Sequence, residues 1–155
     1  MSQAGVSRPV DEQVGYVLKK AASALRSAMD TALRPLDLTV AQYACLAVLR
    51  QQPGLSGSEL ARAMFVSRQS MNLVLKGLER RGLLTRSPLP QHGKALPTEL
   101  SPAGLDQLVA ANEAVSVVEK RMLAVLTPSA ERRLCADLTA CAAALSDLAG
   151  EAEPD

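Results

Sequence analysis

Two helix-start signals stand eleven residues apart in this chain and leave room between them for one short helix and one tight turn. Ser56-Gly57-Ser58-Glu59 sets a hydroxyl and a carboxylate at the spacing of a capping box, where each side chain satisfies the other residue's backbone N–H. Ser67 offers a second hydroxyl, placed to cap whatever helix follows it. Between them, Leu60 and Ala63 predict a helix ending at about Met64, with Phe65-Val66 as the turn. Beyond Ser67, the apolar positions Met71, Val74, Leu75 and Leu78 predict a helix to about Arg81 with one buried stripe. Gly82 then supplies the left-handed stop.

The flanking chain is punctuated in the same way. Val14, Leu18, Ala21, Leu25, Met29, Ala32 and Leu36 recur at steps of three and four, which predicts one amphipathic helix from about Asp11 to Pro35. Thr39 and Gln42 form another capping box, with Leu38 and Tyr43 as its hydrophobic staple, and Pro53-Gly54 ends that helix near Gln52. After Gly82, residues 83–87 read as a strand, Pro88 to Gly93 as a loop, and 95–100 as a returning strand that Pro97 confines to an edge. Ser101-Pro102 and Thr127-Pro128 each pair a cap with a proline at the first helical position. They open two long helices. Leu105, Leu108, Val109, Val115, Val118, Met122 and Leu126 form the inner stripe of the first. Leu134, Leu138, Cys141, Leu145 and Leu148 form that of the second. Residues 1–10 read as a loose arm and 151–155 as a fraying acidic tail. With 48% hydrophobic residues but only three aromatics, Tyr16, Tyr43 and Phe65, the core must be aliphatic, and Ala, Leu and Met favour helix. The expected fold is mainly α: a winged helix-turn-helix with long N- and C-terminal helices and a two-stranded β wing.

Two short helices joined by a tight turn, the second followed by a basic hairpin, make an element that docks in a DNA groove. If Met71, Leu75 and Leu78 hold the second helix to the body, Arg68, Gln69, Asn72 and Lys76 lie opposite. Arg pairs with guanine edges, and Gln or Asn with adenine. Ser67 and Ser70 suit phosphate. Residues 62–94 hold seven basic residues against one acid, Glu79, a net +6 in a chain of +1, so the rest carries −5. That asymmetry suits a polyanion. Arg86 at the base of the wing and Lys94 within it extend the basic surface.

The runs Leu36-Asp37-Leu38-Thr39-Val40-Ala41-Gln42-Tyr43, Ser58-Glu59-Leu60-Ala61, Leu78-Glu79-Arg80-Arg81-Gly82-Leu83-Leu84 and Leu100-Ser101-Pro102-Ala103-Gly104 together resemble the MarR family of bacterial regulators over nearly the whole chain. The resemblance implies a single domain, 1–155, in which 11–36 and 101–150 dimerise and 37–100 form the DNA-binding lobe. It implies a homodimer on a pseudo-palindromic operator, acting in many relatives as a repressor released by a small aromatic or phenolic ligand and in others responding to cysteine oxidation. The chain departs from the family where an Asp-Arg-Arg run usually stands in the wing. Those positions hold His92, Gly93 and Lys94, so phosphate contact through Lys94 is the expectation there, rather than a minor-groove arginine. Tyr16, Met29, Tyr43, Cys45 and Arg86 are the candidate ligand contacts. Aromatic and sulfur side chains would give apolar walls, and an arginine a partner for a carboxylate or phenolate.

Other chemistries find little support. Cys45, Cys135 and Cys141 make no even-numbered framework, which points to a reducing, cytoplasmic setting. Cys141 sits on an apolar stripe, where a thiol is expected to be inert. A cysteine-based redox regulator and a winged helix that docks on protein without reading DNA are the alternatives. His92 is the single histidine, and no nucleophile elbow, phosphate loop or metalloprotease helix occurs, so no enzyme, metal or cofactor is expected. Arg8, Pro9, Asp11 and Glu12 sit where the apolar run of a secretory leader would be. No stretch approaches the ~18 uninterrupted apolar residues of a membrane span.

Overall fold

The computed structural model describes residues 8–86 and 97–150. Residues 1–7 of the arm expected at 1–10, the wing loop with His92, Gly93 and Lys94, and the tail at 151–155 lie outside the described residues. The described chain holds six α-helices, α1 (Val14–Leu33), α2 (Val40–Gln51), α3 (Gly57–Ala63), α4 (Arg68–Arg80), α5 (Pro102–Leu123) and α6 (Pro128–Gly150). Strands β1 (Leu84–Arg86) and β2 (Thr98–Leu100) pair antiparallel between α4 and α5. The expected mainly α winged helix-turn-helix is the observed architecture. Among the described residues, no single helix is long and apolar enough to cross a membrane.

The helix starts form as their side chains dictate. In α2 the Thr39 hydroxyl accepts from the Gln42 N–H at 3.1 Å, and the Gln42 side chain accepts from the Thr39 N–H at 3.0 Å. Ser56 and Glu59 make the same reciprocal pair ahead of α3. The end of α1 comes earlier than the apolar period suggests. Pro35 has no N–H to continue the i to i−4 ladder, so the α-helix stops at Leu33 and a 3-10 turn, Arg34–Leu36, takes over, with Arg34 itself still helical in backbone. Asp37, with φ of 54°, finishes that turn in left-handed conformation and sends α2 off in a new direction.

The core belongs to the larger of two compact units, which extends to Val118. It is an aliphatic cluster of Leu33, Leu38, Cys45, Leu46, Leu49, Leu60, Met71, Leu75, Leu78, Leu83, Leu84, Leu108 and Ala111. Within this unit α5 buries Gly104, Leu108 and Ala111. The expected inner stripe is therefore corrected: Leu105 and Val109 are exposed, at 38% and 53%. The smaller unit, from Glu119 onward, contains α6, which buries none of its described side chains. Leu134, Leu138, Cys141, Leu145 and Leu148 are all exposed there, so the thiol expected to be shielded on this stripe is open. Apolar periodicity identifies a face, but burial depends on what is packed against it.

Strand β2 is an edge of a two-stranded sheet, as Pro97 suggested, and its outer side carries one isolated bridge. Its Thr98 pairs with Arg86 on one side and forms a bridge to Leu55 on the other, with Thr98 N–H donating to Leu55 O at 3.1 Å. Pro97 is tolerated because it stands just before the strand, where no ladder N–H is needed. At the other end of the wing the start of α5 is pressed onto the turn after α4. Ser101 N–H donates to Leu83 O at 3.1 Å, and the Ser101 hydroxyl donates to Gly82 O at 2.5 Å. A Cβ on Gly104 would collide with the Leu83 carbonyl, and backbone cannot swing aside as a side chain can. Gly104→Ala is expected to lower stability by about 1–3 kcal/mol, the usual cost of overpacking. Urea unfolding with an unchanged midpoint would show that the contact yields freely.

Candidate nucleic-acid interface

The helix-turn-helix is closed by its turn. Val66 N–H donates to Ala61 O at 3.0 Å, and Phe65 adopts a left-handed φ of 56°, which reverses the chain between α3 and α4. Phe65 is 93% exposed, a conformation and position that a bulky residue takes only where the backbone requires it. The Ser67 hydroxyl then accepts from the Ser70 N–H at 3.1 Å and donates to the Ser70 hydroxyl at 3.0 Å. No carboxylate completes this cap, so the first turn of α4 carries no negative charge.

Along α4 a buried side and an exposed side separate, although Leu73, 68% exposed, puts an apolar side chain among the outer ones. Met71, Leu75 and Leu78 have no exposed surface. Ser67, Arg68, Gln69, Ser70, Asn72 and Lys76 are all exposed. The helix ends in a Schellman turn, with Gly82 at φ of 69°, Leu83 N–H donating to Leu78 O at 3.0 Å and Gly82 N–H to Glu79 O at 2.9 Å. Leu78 and Leu83 are both buried beneath that turn. The reading face is thus presented on a helix whose two ends and inner side are all tied down. Lys94 lies outside the described residues.

Arg86 stands apart from the exposed cations. Its side chain is mostly covered, and its Nε lies 3.6 Å from a Glu79 carboxylate oxygen, an ion pair beyond hydrogen-bond reach. Arg86 Nε and its cross-strand neighbour Thr98 Oγ1 are the two buried side-chain polar atoms with no hydrogen-bond partner among the described residues. Glu79, the one acid counted in the basic segment, is spent on this pair. Six residues separate the two in sequence, and the turn at Gly82 and the strand after it bring them together.

The five residues expected to meet a ligand are not gathered into one described cavity. Tyr16 lies on the exposed face of α1 beside Lys19 and Lys20, in a groove of about 440 Å³. Met29 is half-buried near the other end of the same helix. Tyr43 is half-buried, and its hydroxyl donates to Asn112 Oδ1 at 3.0 Å, a partner on α5 that sequence offered no means of naming. Cys45 has no exposed surface, yet Arg86 is near enough to act on it electrostatically. Cys45 and Arg86 thus come within electrostatic reach of each other. A cavity of about 560 Å³ lies elsewhere, at the C-terminal end of α4, among Asp30, Arg34, Asp37, Thr39, Gln42, Gly77, Arg80 and Arg81. No cluster of three or more His, Cys, Asp or Glu side chains fit to hold a metal occurs among the described residues.

Residues 36–95 match the model of the MarR family. The HTH-type transcriptional repressor Rv2887 of Mycobacterium tuberculosis is 38% identical to this chain over 122 residues, which is 79% of this chain and 88% of the relative. The crystal structure of the M. tuberculosis MarR family protein Rv2887 in complex with DNA superposes with a TM-score of 0.72 at 36% identity, covering 84% of this chain and 98% of that one. The complex of Rv2887 with salicylic acid gives a TM-score of 0.69 at 37% identity, covering 84% and 97%.

Burial pushes the Cys45 thiol up to about 12, and the nearby Arg86 charge only partly offsets this. The folded state therefore keeps the proton through a range where the unfolded thiol gives it up. Stability from this group is full below about 9 and is lost as pH rises toward 12. In a variant carrying Cys135→Ser and Cys141→Ser, the remaining thiol should resist a disulfide reagent at pH 8 until the protein is unfolded. Prompt native-state labelling would contradict the burial.

Proposed function

This chain belongs to the MarR family, and on that premise we propose that it represses transcription as a homodimer, with α4 reading operator DNA and a small aromatic acid releasing it. The observation that carries the DNA-binding reading is the division of α4. Three fully buried apolar side chains fix the helix, while Gln69, Asn72 and Lys76 on its outer side and Arg68 at its first turn are exposed. Residues 37–100 form the DNA-binding lobe, and 11–36 with 101–150 form the dimerisation part. The exposed apolar side chains of α6, with Val14, Val17 and Leu18 of α1, suit burial against a second copy. A regulator of this kind acts in the cytoplasm and catalyses no reaction.

The ligand reading rests on the wing base. Arg86 Nε and Thr98 Oγ1 are cross-strand neighbours on one face of the sheet, both buried and both lacking a hydrogen-bond partner among the described residues. Buried polar atoms are rarely left so. A carboxylate would accept from both, and its attraction to Arg86 would compete with Glu79. The relative Rv2887 has been crystallised both with DNA and with salicylic acid, a small aromatic carboxylate. A ligand that favours the non-binding conformation a hundredfold shifts operator affinity by about 2.7 kcal/mol.

Two measurements follow. Sedimentation should give twice the 16.4 kDa chain mass, and the dimer should shift a fragment of its own upstream DNA in a gel. Arg68→Ala, Gln69→Ala and Asn72→Ala should each cost about 1–3 kcal/mol and relax specificity, whereas Lys76→Ala should weaken all sequences alike and flatten the salt dependence. A normal footprint from the Arg68→Ala protein would remove α4 from the reading role. In the second measurement, salicylate is titrated into the protein–operator complex, with Tyr43→Ala and Arg86→Ala as variants. Release should occur with the parent and need about tenfold more ligand with Arg86→Ala, the scale of one charge-assisted contact. Release by peroxide with none by any aromatic acid or phenol would replace the ligand reading with one based on the exposed Cys135 and Cys141.

A further inference from the structure

Arg81 belongs to the basic segment and is exposed, yet its guanidinium is engaged by backbone. It caps the C-terminal end of α4, at the far end from Arg68. Its Nη1 donates to Asp37 O at 2.5 Å and its Nη2 to Leu36 O at 3.2 Å, across a separation of more than forty residues. The two carbonyls lie at the corner where the 3-10 turn ends in left-handed Asp37, and no backbone N–H donates to either among the described residues. Gln107 of α5 donates its side-chain N–H to the same Leu36 carbonyl at 2.7 Å. One corner thus ties together the end of α1, the start of α2, the end of α4 and the first turns of α5.

We infer that Arg81 is a positioning residue for operator recognition: its guanidinium pins the C-terminal end of α4 to the α1–α2 corner and so sets the direction in which the reading face points. The apolar contacts of α4 resist separation from the core, yet they are non-directional and tolerate small rotations. A planar fork that grips two successive carbonyls is directional. From Arg68 to Arg80 the helix is about 18 Å long at 1.5 Å per residue, so a tilt of about 5° at the pinned end moves Arg68 by about 1.6 Å. That is enough to break a paired hydrogen bond to a base. Because α1 and α5 share the pinned corner, the clamp refers the reading face to the helices assigned to dimerisation, and through them to the half-site spacing.

This inference rests on the operator-binding reading, and one experiment separates the two. A DNA fragment is selected from a random pool by the parent protein, and its half-site spacing is then varied by one base pair in each direction. The full-length Arg81→Met dimer should bind the parent fragment about tenfold more weakly or worse, discriminate less among the spacings, and keep the parent's salt slope. Arg81→Lys should fall between, since an ammonium cannot grip both carbonyls as a fork does. A salt slope reduced by about one unit would instead make Arg81 a phosphate contact and overturn the inference. So would parent-like affinity and spacing preference in Arg81→Met. If Arg81→Met does not fold, Arg81→Lys and Gln107→Leu decide the matter. With circular dichroism and sedimentation matching the parent, both should show reduced spacing discrimination, and unchanged discrimination in both overturns the inference. Failure of the parent to select any fragment would overturn the operator reading itself, and this inference with it.

Discussion

Met71, Leu75 and Leu78 recur along α4 at steps of four and three, and none has any exposed surface. Burying such a side chain contributes about 1.5–3 kcal/mol, whereas an isolated helix as short as α4, with thirteen residues, is marginal in water. Docking therefore makes this helix, and the same docking decides which residues it shows. With those three positions inward, Gln69, Asn72 and Lys76 are turned away from the core, whereas Arg68, three residues before Met71 and seven before Leu75, is exposed because it opens the helix. The Ser67 cap, the left-handed turns at Phe65 and Gly82, and the wing that follows all serve to keep this one stripe against the core.

The charges of the same segment are put to three different uses. Arg68 and Lys76 are exposed and available to a polyanion. Arg86 is mostly covered and paired with Glu79. Arg81 has its donors turned onto backbone carbonyls. A net charge counted along the chain treats the three alike, although Glu79 offsets the charge of Arg86 and Arg81 spends its donors on carbonyls. Burial likewise divides the cysteines. Cys45 is locked in the core with its proton held, whereas Cys135 and Cys141 face solvent on α6.

Much of the fold was legible because its signals are local. A capping box spans four residues, and Thr39–Gln42 and Ser56–Glu59 close without help from the rest of the chain. The Gly82 stop and the Ser101-Pro102 start are of the same kind. The apolar stripes were a weaker guide. On α5 the period admitted Leu105 and Val109, but the covered line runs through Gly104, Leu108 and Ala111, because the turn at Leu83 presses on the side where glycine leaves room. Pro35 likewise shortened α1 below what its apolar spacing suggested, since a missing N–H outweighs a favourable face.

The candidate site divides along the same line. The amino-acid sequence by itself determined the helix-turn-helix and the polar residues of its second helix, because caps, turns and a 3.6-residue period act between neighbours three or four positions apart. Tertiary structure alone decided that Glu79 answers Arg86, that Tyr43 meets Asn112, that Thr98 is enclosed with an unpartnered hydroxyl, and that Arg81 and Gln107 converge on Leu36. Each of these depends on where two elements meet after the core has closed. No spacing along the chain encodes that meeting, since the partners are chosen by the packing of aliphatic side chains that interact without direction.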